Sequence, residues 1–114
     1  MKVLVTGATG QIGSRVVCAL RARGDAVRAL VRDRQRLGAL EGVDVERRVG
    51  DVTDRGSLEA AVVGVEAVVH CAGVVSYWGR KADWQWAVNV GGTEALLDAA
   101  AAAGVRRVLL TSSI

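Results

Sequence analysis

Glycines at positions 7, 10 and 13 follow a short apolar run, Val3-Leu4-Val5, and precede a segment in which Ile12, Val16, Val17 and Leu20 recur on one helical face. Thr6-Gly7-Ala8-Thr9-Gly10-Gln11-Ile12-Gly13 thus reads as a glycine-rich turn from a strand into a helix. Each glycine has a separate use. Gly7 permits a tight turn, Gly10 lets backbone approach a diphosphate with no Cβ in the way, and Gly13 lets the helix pack closely. The free N–H groups and partial positive charge at the helix start would then face the phosphates. Other reactive side chains are sparse. His70 is the single histidine and lies in an apolar run, where a packed ring is the ordinary outcome. Cys18 and Cys71 are too far apart for a metal or redox motif and read as small buried residues in a reducing, cytoplasmic compartment.

The elements that must position these residues alternate. Residues 3–5, 27–31, 43–49, 67–70 and 105–111 are β-branched or apolar runs. Between them lie helical segments: one closed by Gly24, a short one around 35–40 started by Asp33, one capped by Asp54 or Ser57 and closed by Gly64, and a long one over 82–103. Strand–helix alternation implies right-handed crossovers and a parallel sheet covered on both faces. The fold class expected is α/β, a Rossmann-type doubly wound parallel sheet of five strands in the order 3-2-1-4-5, forming one domain over residues 1–114.

Composition fits that reading. A chain of 114 residues, 51% apolar and 24% charged, is too apolar for disorder and has no apolar run long enough to span a membrane. Its net charge of +3 permits anionic partners but does not point to nucleic acid, and the absence of Phe with a single Tyr removes the stacking surface of single-strand binders. Two features ask for compensation. Gly91-Gly92 within a helix costs roughly 1 kcal/mol per glycine, which close approach of neighbouring backbone would explain. An unpaired fifth strand carrying Val108-Leu109-Leu110 invites self-association.

Five motifs in order carry a family resemblance: the loop from Thr6 to Gly13, Gly50-Asp51-Val52-Thr53-Asp54, His70-Cys71-Ala72-Gly73, Asn89-Val90-Gly91-Gly92-Thr93 and Thr111-Ser112-Ser113. The chain resembles the N-terminal part of an extended short-chain dehydrogenase/reductase, in the superfamily of NAD-dependent epimerases and dehydratases and close to dihydroflavonol-reductase-like members. The resemblance implies a nicotinamide dinucleotide held by Gly7, Thr9, Gly10, Gln11, Ile12 and Gly13. It also implies Asp51 at the adenine amino group with Val52 beside the ring, and Ala72 and Gly73 along the ribose and nicotinamide. Asn89 would brace the site, and Ser113 would hydrogen-bond the substrate oxygen, with Ser112 as the register alternative.

Coenzyme choice falls to Val31-Arg32-Asp33-Arg34. The family's NAD-binding acid would stand at or near Val31. Arg32, with Arg34 or Arg36 in support, suits the 2′-phosphate of NADP, whereas Asp33 could reach a ribose and keeps NAD open. The family's Tyr-x-x-x-Lys acid–base pair belongs to a helix after the fifth strand, beyond which this chain does not run. Tyr77-Trp78-Gly79-Arg80-Lys81 matches it literally but follows the fourth strand and contains a glycine. Trp78, Trp84 and Trp86 could line an apolar substrate pocket or cover the sheet edge. The implied function is the coenzyme-binding part, truncated after the fifth strand, of an NADP(H)-dependent oxidoreductase acting on the carbinol or ketone of a small-molecule substrate. An NAD-dependent sugar-nucleotide epimerase or dehydratase and a non-catalytic nucleotide-sensing or scaffold module are the alternatives.

Overall fold

Val3, Leu4, Val5 and Thr6 are buried in succession, as a strand covered on both faces requires. They belong to β1 (Lys2–Thr6), the centre of the sheet. The computed structural model describes residues 1–73 and 82–112. After β1 come α1 (Gln11–Ala22), β2 (Ala26–Val31), a 3₁₀ turn (Gly38–Leu40), β3 (Glu46–Val49), α2 (Arg55–Ala61) and β4 (Ala67–His70). A continuous helical stretch follows: α3 (Ala82–Trp86), a π-helical turn (Ala87–Gly91) and α4 (Gly92–Ala102), then β5 (Arg107–Leu110). All strand pairs are parallel and their order is β3-β2-β1-β4-β5, as expected. No helix among the described residues is long and apolar enough to cross a membrane.

Period-2 alternation divides the core. Val3, Val5, Val27, Ala29, Val31, Ala67 and Val69 face Val17 of α1 and Leu40 of the 3₁₀ turn. Leu4, Leu30 and Val68 face Leu58 of α2 and Ala95, Leu96 and Ala99 of α4. The positive-φ glycines Gly24 (91°), Gly64 (77°) and Gly104 (75°) follow the three longer helices and let the chain reverse.

Several local expectations are corrected. The segment 35–40 is not a helix: Asp33 Oδ1 accepts from Gln35 N (2.9 Å), and the 3₁₀ turn docks on the glycine loop, with Ala39 N donating to Thr9 O (3.4 Å). Val43 and Val45 pack under the sheet edge as loop residues, so β3 starts at Glu46. Ile12 does not share the buried face of α1; it is 64% exposed, because the first turn projects past the strand ends. Cys18 is exposed as well, whereas Cys71 is half-buried.

One buried cation was not anticipated. Arg28, 4% exposed in the middle of β2, donates from Nη1 to Ala61 O (2.6 Å) and Val63 O (2.7 Å). It satisfies carbonyls left without helical partners at the end of α2 and places positive charge at the negative end of that helix. Its Nε lies 3.2 Å from Glu46 Oε1 but off hydrogen-bonding geometry.

Candidate functional site

The carboxyl ends of β1, β2, β3 and β4 open onto one cleft, where strand order reverses between β1 and β4. It encloses about 490 Å³. Of the residues expected to bind a dinucleotide, Gly7, Thr9, Gly10, Arg32, Asp51, Val52, Ala72 and Gly73 line it, together with Leu30, Asp33, Arg36, Gly50, Cys71, Trp84 and Val88.

The glycine loop is built by exclusion. Gly7 has φ +64°, and a Cβ there would stand 2.6 Å from Ala72 N and the Cys71 carbonyl carbon. A Cβ on Gly13 would run into the Gly7 carbonyl, so Gly13 packs the helix onto the loop and does not line the cleft. Gly10 is exposed, donates to Gly7 O (3.1 Å) and caps α1 with extended backbone and no side-chain acceptor. Ser14 N bonds back to Gly10 O (3.0 Å). The amides of Gln11, Ile12 and Gly13, in the first turn ahead of it, have no partner within the helix. Gln11 and Ile12 are exposed just past Gly10, outside the cleft lining.

Opposite the loop, Asp51 follows β3. Its Oδ1 accepts from Thr53 N (3.0 Å) and Thr53 Oγ1 (2.9 Å). Ser57 Oγ accepts from Asp51 N and donates to the backbone carbonyls of Asp51 and Asp54. These bonds fix the turn before α2, whose cap is Asp54. Gly50 is required there: a Cβ would meet Leu30 Cδ1 at 2.8 Å and Ser57 Cβ at 2.9 Å. Gly92 lets the long helix approach from behind, since its Cβ would meet Val52 Cγ2 at 2.8 Å, while Gly91 faces open space among the described residues. The close approach expected for the glycine pair thus holds for one member.

At the end of β2 the charges are unequally engaged. Asp33 accepts from Gln35 N through Oδ1, and its Oδ2 lies 3.9 Å from Arg36 Nε. Arg32 has no hydrogen-bonding or ionic partner among the described residues, and it is exposed at the cleft rim.

At the other end of the cleft, His70 is buried and bridges two hydroxyls: Thr6 Oγ1 at 2.6 Å from Nδ1 and Thr93 Oγ1 at 3.1 Å from Nε2. Burial holds its pKa below the ordinary histidine value. Burial also pushes the Cys71 thiol up, against a hydrogen bond with Thr111. Asn89 is half-buried in the π-helical turn, with its Oδ1 3.4 Å from where a Cβ on Gly73 would lie. The histidine bridge was missed in the sequence; its signal is the pairing of two polar residues, Thr6 and His70, at the last register step of two apolar strands. Ser113, Tyr77, Trp78 and Lys81 lie outside the described residues.

The cleft therefore offers a Cβ-free backbone cradle at a helix start, a half-engaged carboxylate, an unengaged guanidinium and a wall of small residues. A diphosphate between two nucleosides fits that donor set. Comparison with known proteins agrees. A family model described as NAD(P)H-binding matches residues 7–114. The chain is 50% identical over 115 residues to sterol demethylase protein B of Methylococcus capsulatus, which takes in 99% of this chain and 34% of that protein. It is 39% identical over 118 residues to a 3 beta-hydroxysteroid dehydrogenase/Delta 5→4-isomerase of Mycobacterium tuberculosis, covering 98% of this chain and 31% of that one. A solved short-chain dehydrogenase/reductase superfamily protein from Agrobacterium tumefaciens, with bound NAD, superposes with a TM-score of 0.87 at 42% identity, over 99% of this chain and 33% of that chain. The chain spans about a third of the length of the curated relatives it matches. Matched along nearly its whole length in sequence and fold, it belongs to the NAD(P)H-binding family within the superfamily of short-chain dehydrogenases/reductases and NAD-dependent epimerases/dehydratases.

Proposed function

We propose that residues 1–114 form the coenzyme-holding domain of an NADP(H)-dependent oxidoreductase. The observation that carries the coenzyme preference is Arg32, a guanidinium at the cleft rim with no partner among the described residues beside an Asp33 already bonded to Gln35. An unengaged planar fork favours a 2′-phosphate. Asp33, whose Oδ2 meets only Arg36 at 3.9 Å among the described residues, keeps an acceptor for a ribose hydroxyl and so supports the second reading. The bound NAD in the Agrobacterium relative favours the second reading, NAD.

In this reading Gly7, Thr9 and Gly10 shape the diphosphate cradle and the Gln11, Ile12 and Gly13 amides donate to it. Asp51 and Val52 take the adenine, Ala72 and Gly73 flank the nicotinamide ribose, and Asn89 braces that end. The coenzyme, when bound, supplies hydride to or from a carbinol or ketone. Ser113 is assigned the substrate oxygen, and Tyr77 and Lys81 are not assigned the acid–base role. Trp84 and Val88 at the cleft, with the sterol- and steroid-named relatives, support an apolar, ring-bearing small-molecule substrate. The free thiols of Cys18 and Cys71 suit a cytoplasmic location. The exposed Leu109 and Leu110 on β5 support self-association through that edge.

Calorimetric titration of the chain and its Arg32→Ala variant with NADPH and NADH tests the preference. A charged hydrogen bond is worth about 1.5–3 kcal/mol, so NADPH affinity is expected to fall about tenfold or more while NADH affinity holds. An unchanged NADPH-to-NADH ratio would remove the assignment.

A further inference from the structure

Thr6, His70 and Thr93 stand on three separate elements, β1, β4 and α4, and the protons between them can be assigned. Thr6 Oγ1 accepts from Cys71 N and Ala72 N, both at 3.2 Å. A hydroxyl that accepts twice still has its own proton to give, and His70 Nδ1 at 2.6 Å is there to receive it. At the far side Thr93 Oγ1 lies 2.6 Å from Asn89 O, a carbonyl that can only accept. The Thr93 proton therefore goes to Asn89, and Thr93 Oγ1 must accept from His70 Nε2 at 3.1 Å. Both ends demand the same state of the ring: Nδ1 bare and Nε2 protonated.

We propose that His70, held as the neutral Nε2–H tautomer, is a positioning residue of the coenzyme cleft whose protonation releases the wall formed by Ala72 and Gly73. A proton on Nδ1 would face an oxygen that already accepts two amides and has its own proton pointed at the ring. Thr6 must then turn its hydroxyl away; Cys71 N keeps the Thr6 backbone carbonyl (3.2 Å), whereas Ala72 N loses its acceptor. The Ala72 amide fixes the chain where Ala72 and Gly73 line the cleft and where Ala72 N abuts Gly7.

Among the described residues no charged group faces the ring. The ring meets Thr6 from β1, and Thr93 with the Asn89 carbonyl from the long helix. From β5, Thr111 bonds the His70 backbone carbonyl. The adjoining Cys71 is a thiol that burial keeps neutral. Burial lowers the pKa of the ring and so disfavours its charged form. This inference rests on the reading that the coenzyme occupies the cleft.

Because the chain has one histidine, a long-range ¹H–¹⁵N spectrum of its ring is unambiguous. The full chain is expected to show the Nε2–H tautomer at neutral pH and to titrate below the ordinary value of 6.5. NADH is the binding probe, since the 2′-phosphate of NADPH itself titrates near pH 6. Its affinity is expected to fall about tenfold as the ring charges, the loss of roughly one net hydrogen bond. His70→Gln offers an acceptor to Thr6 and a donor to Thr93 but no titratable proton, so its NADH affinity, at whatever level it starts, should lose the acid limb. An Nδ1–H tautomer in the unaltered chain, or an acid limb that survives in His70→Gln, would overturn the proposal. The expected tautomer with no coenzyme binding at neutral pH would instead overturn the coenzyme reading, and the cleft role with it.

Discussion

Gly91 and Gly92 are adjacent, both in right-handed helical conformation (φ −61°, ψ −42° and φ −64°, ψ −40°), and so gain equally in helix propensity when replaced by alanine, about 0.8–1.0 kcal/mol. What differs is the space for a methyl group. At Gly91 it meets nothing among the described residues, whereas at Gly92 it would stand 2.8 Å from Val52 Cγ2 and 2.9 Å from Val52 Cβ. Overpacking of this kind costs about 1–3 kcal/mol. Gly91→Ala is therefore expected to raise stability by about 1 kcal/mol. Gly92→Ala should leave it unchanged or lower it by up to about 2 kcal/mol, a gap between the two of roughly 1–3 kcal/mol. Urea unfolding followed by circular dichroism measures this directly. Because Val52 lines the cleft, Gly92→Ala should also weaken coenzyme binding, and Val52→Ala in the same chain should relieve part of the loss through a favourable coupling. Equal stability of the two alanine variants would refute the packing of the start of α4 against Val52.

Three further substitutions test the packing. Arg28→Met strands the Ala61 and Val63 carbonyls, and unfolding free energy should fall by about 3 kcal/mol, with coenzyme affinity of the folded chain unchanged. The half-exposed Glu46 adds little to that figure. Gly10→Ala places its Cβ 3.4 Å from Gly7 O, so the loss of stability should stay within about 1 kcal/mol, that of a poorer N-cap, while coenzyme affinity drops. Gly13→Ala, blocked by the Gly7 backbone, should instead lose about 3 kcal/mol or more of stability together with binding. Paired melts and titrations separate the two glycines.

The strands and their order were legible because the apolar runs are short, β-branched and punctuated by Gly24 and Gly64, both of which take the left-handed turn expected of a helix-closing glycine; Gly104 does the same after α4. The cleft lining was legible where backbone must come close, at Gly7, Gly10, Ala72 and Gly73. What escaped was tertiary in origin. Residues 35–40 have helix-compatible types, but Gly38 takes φ +53° to dock on Thr9, and that contact overrides propensity. The 87–91 turn widens to a π-helix where the helix carries Asn89 and meets Val52, and nothing in the local pattern distinguishes it from an α-helix. Arg28 carries a charge into the core because α2 ends with carbonyls that need a donor, a demand visible once α2 and β2 are packed together. The His70 bridge is likewise a matter of register across 64 residues of sequence.

The central claim is that the first turn of α1 receives a diphosphate. It is tested most directly by determining the structure of the chain with NADPH bound. The account expects the diphosphate oxygens within about 3 Å of the Gln11 and Ile12 amides, above Gly10. A coenzyme seated elsewhere, or a first turn whose amides are turned to other partners, would contradict it.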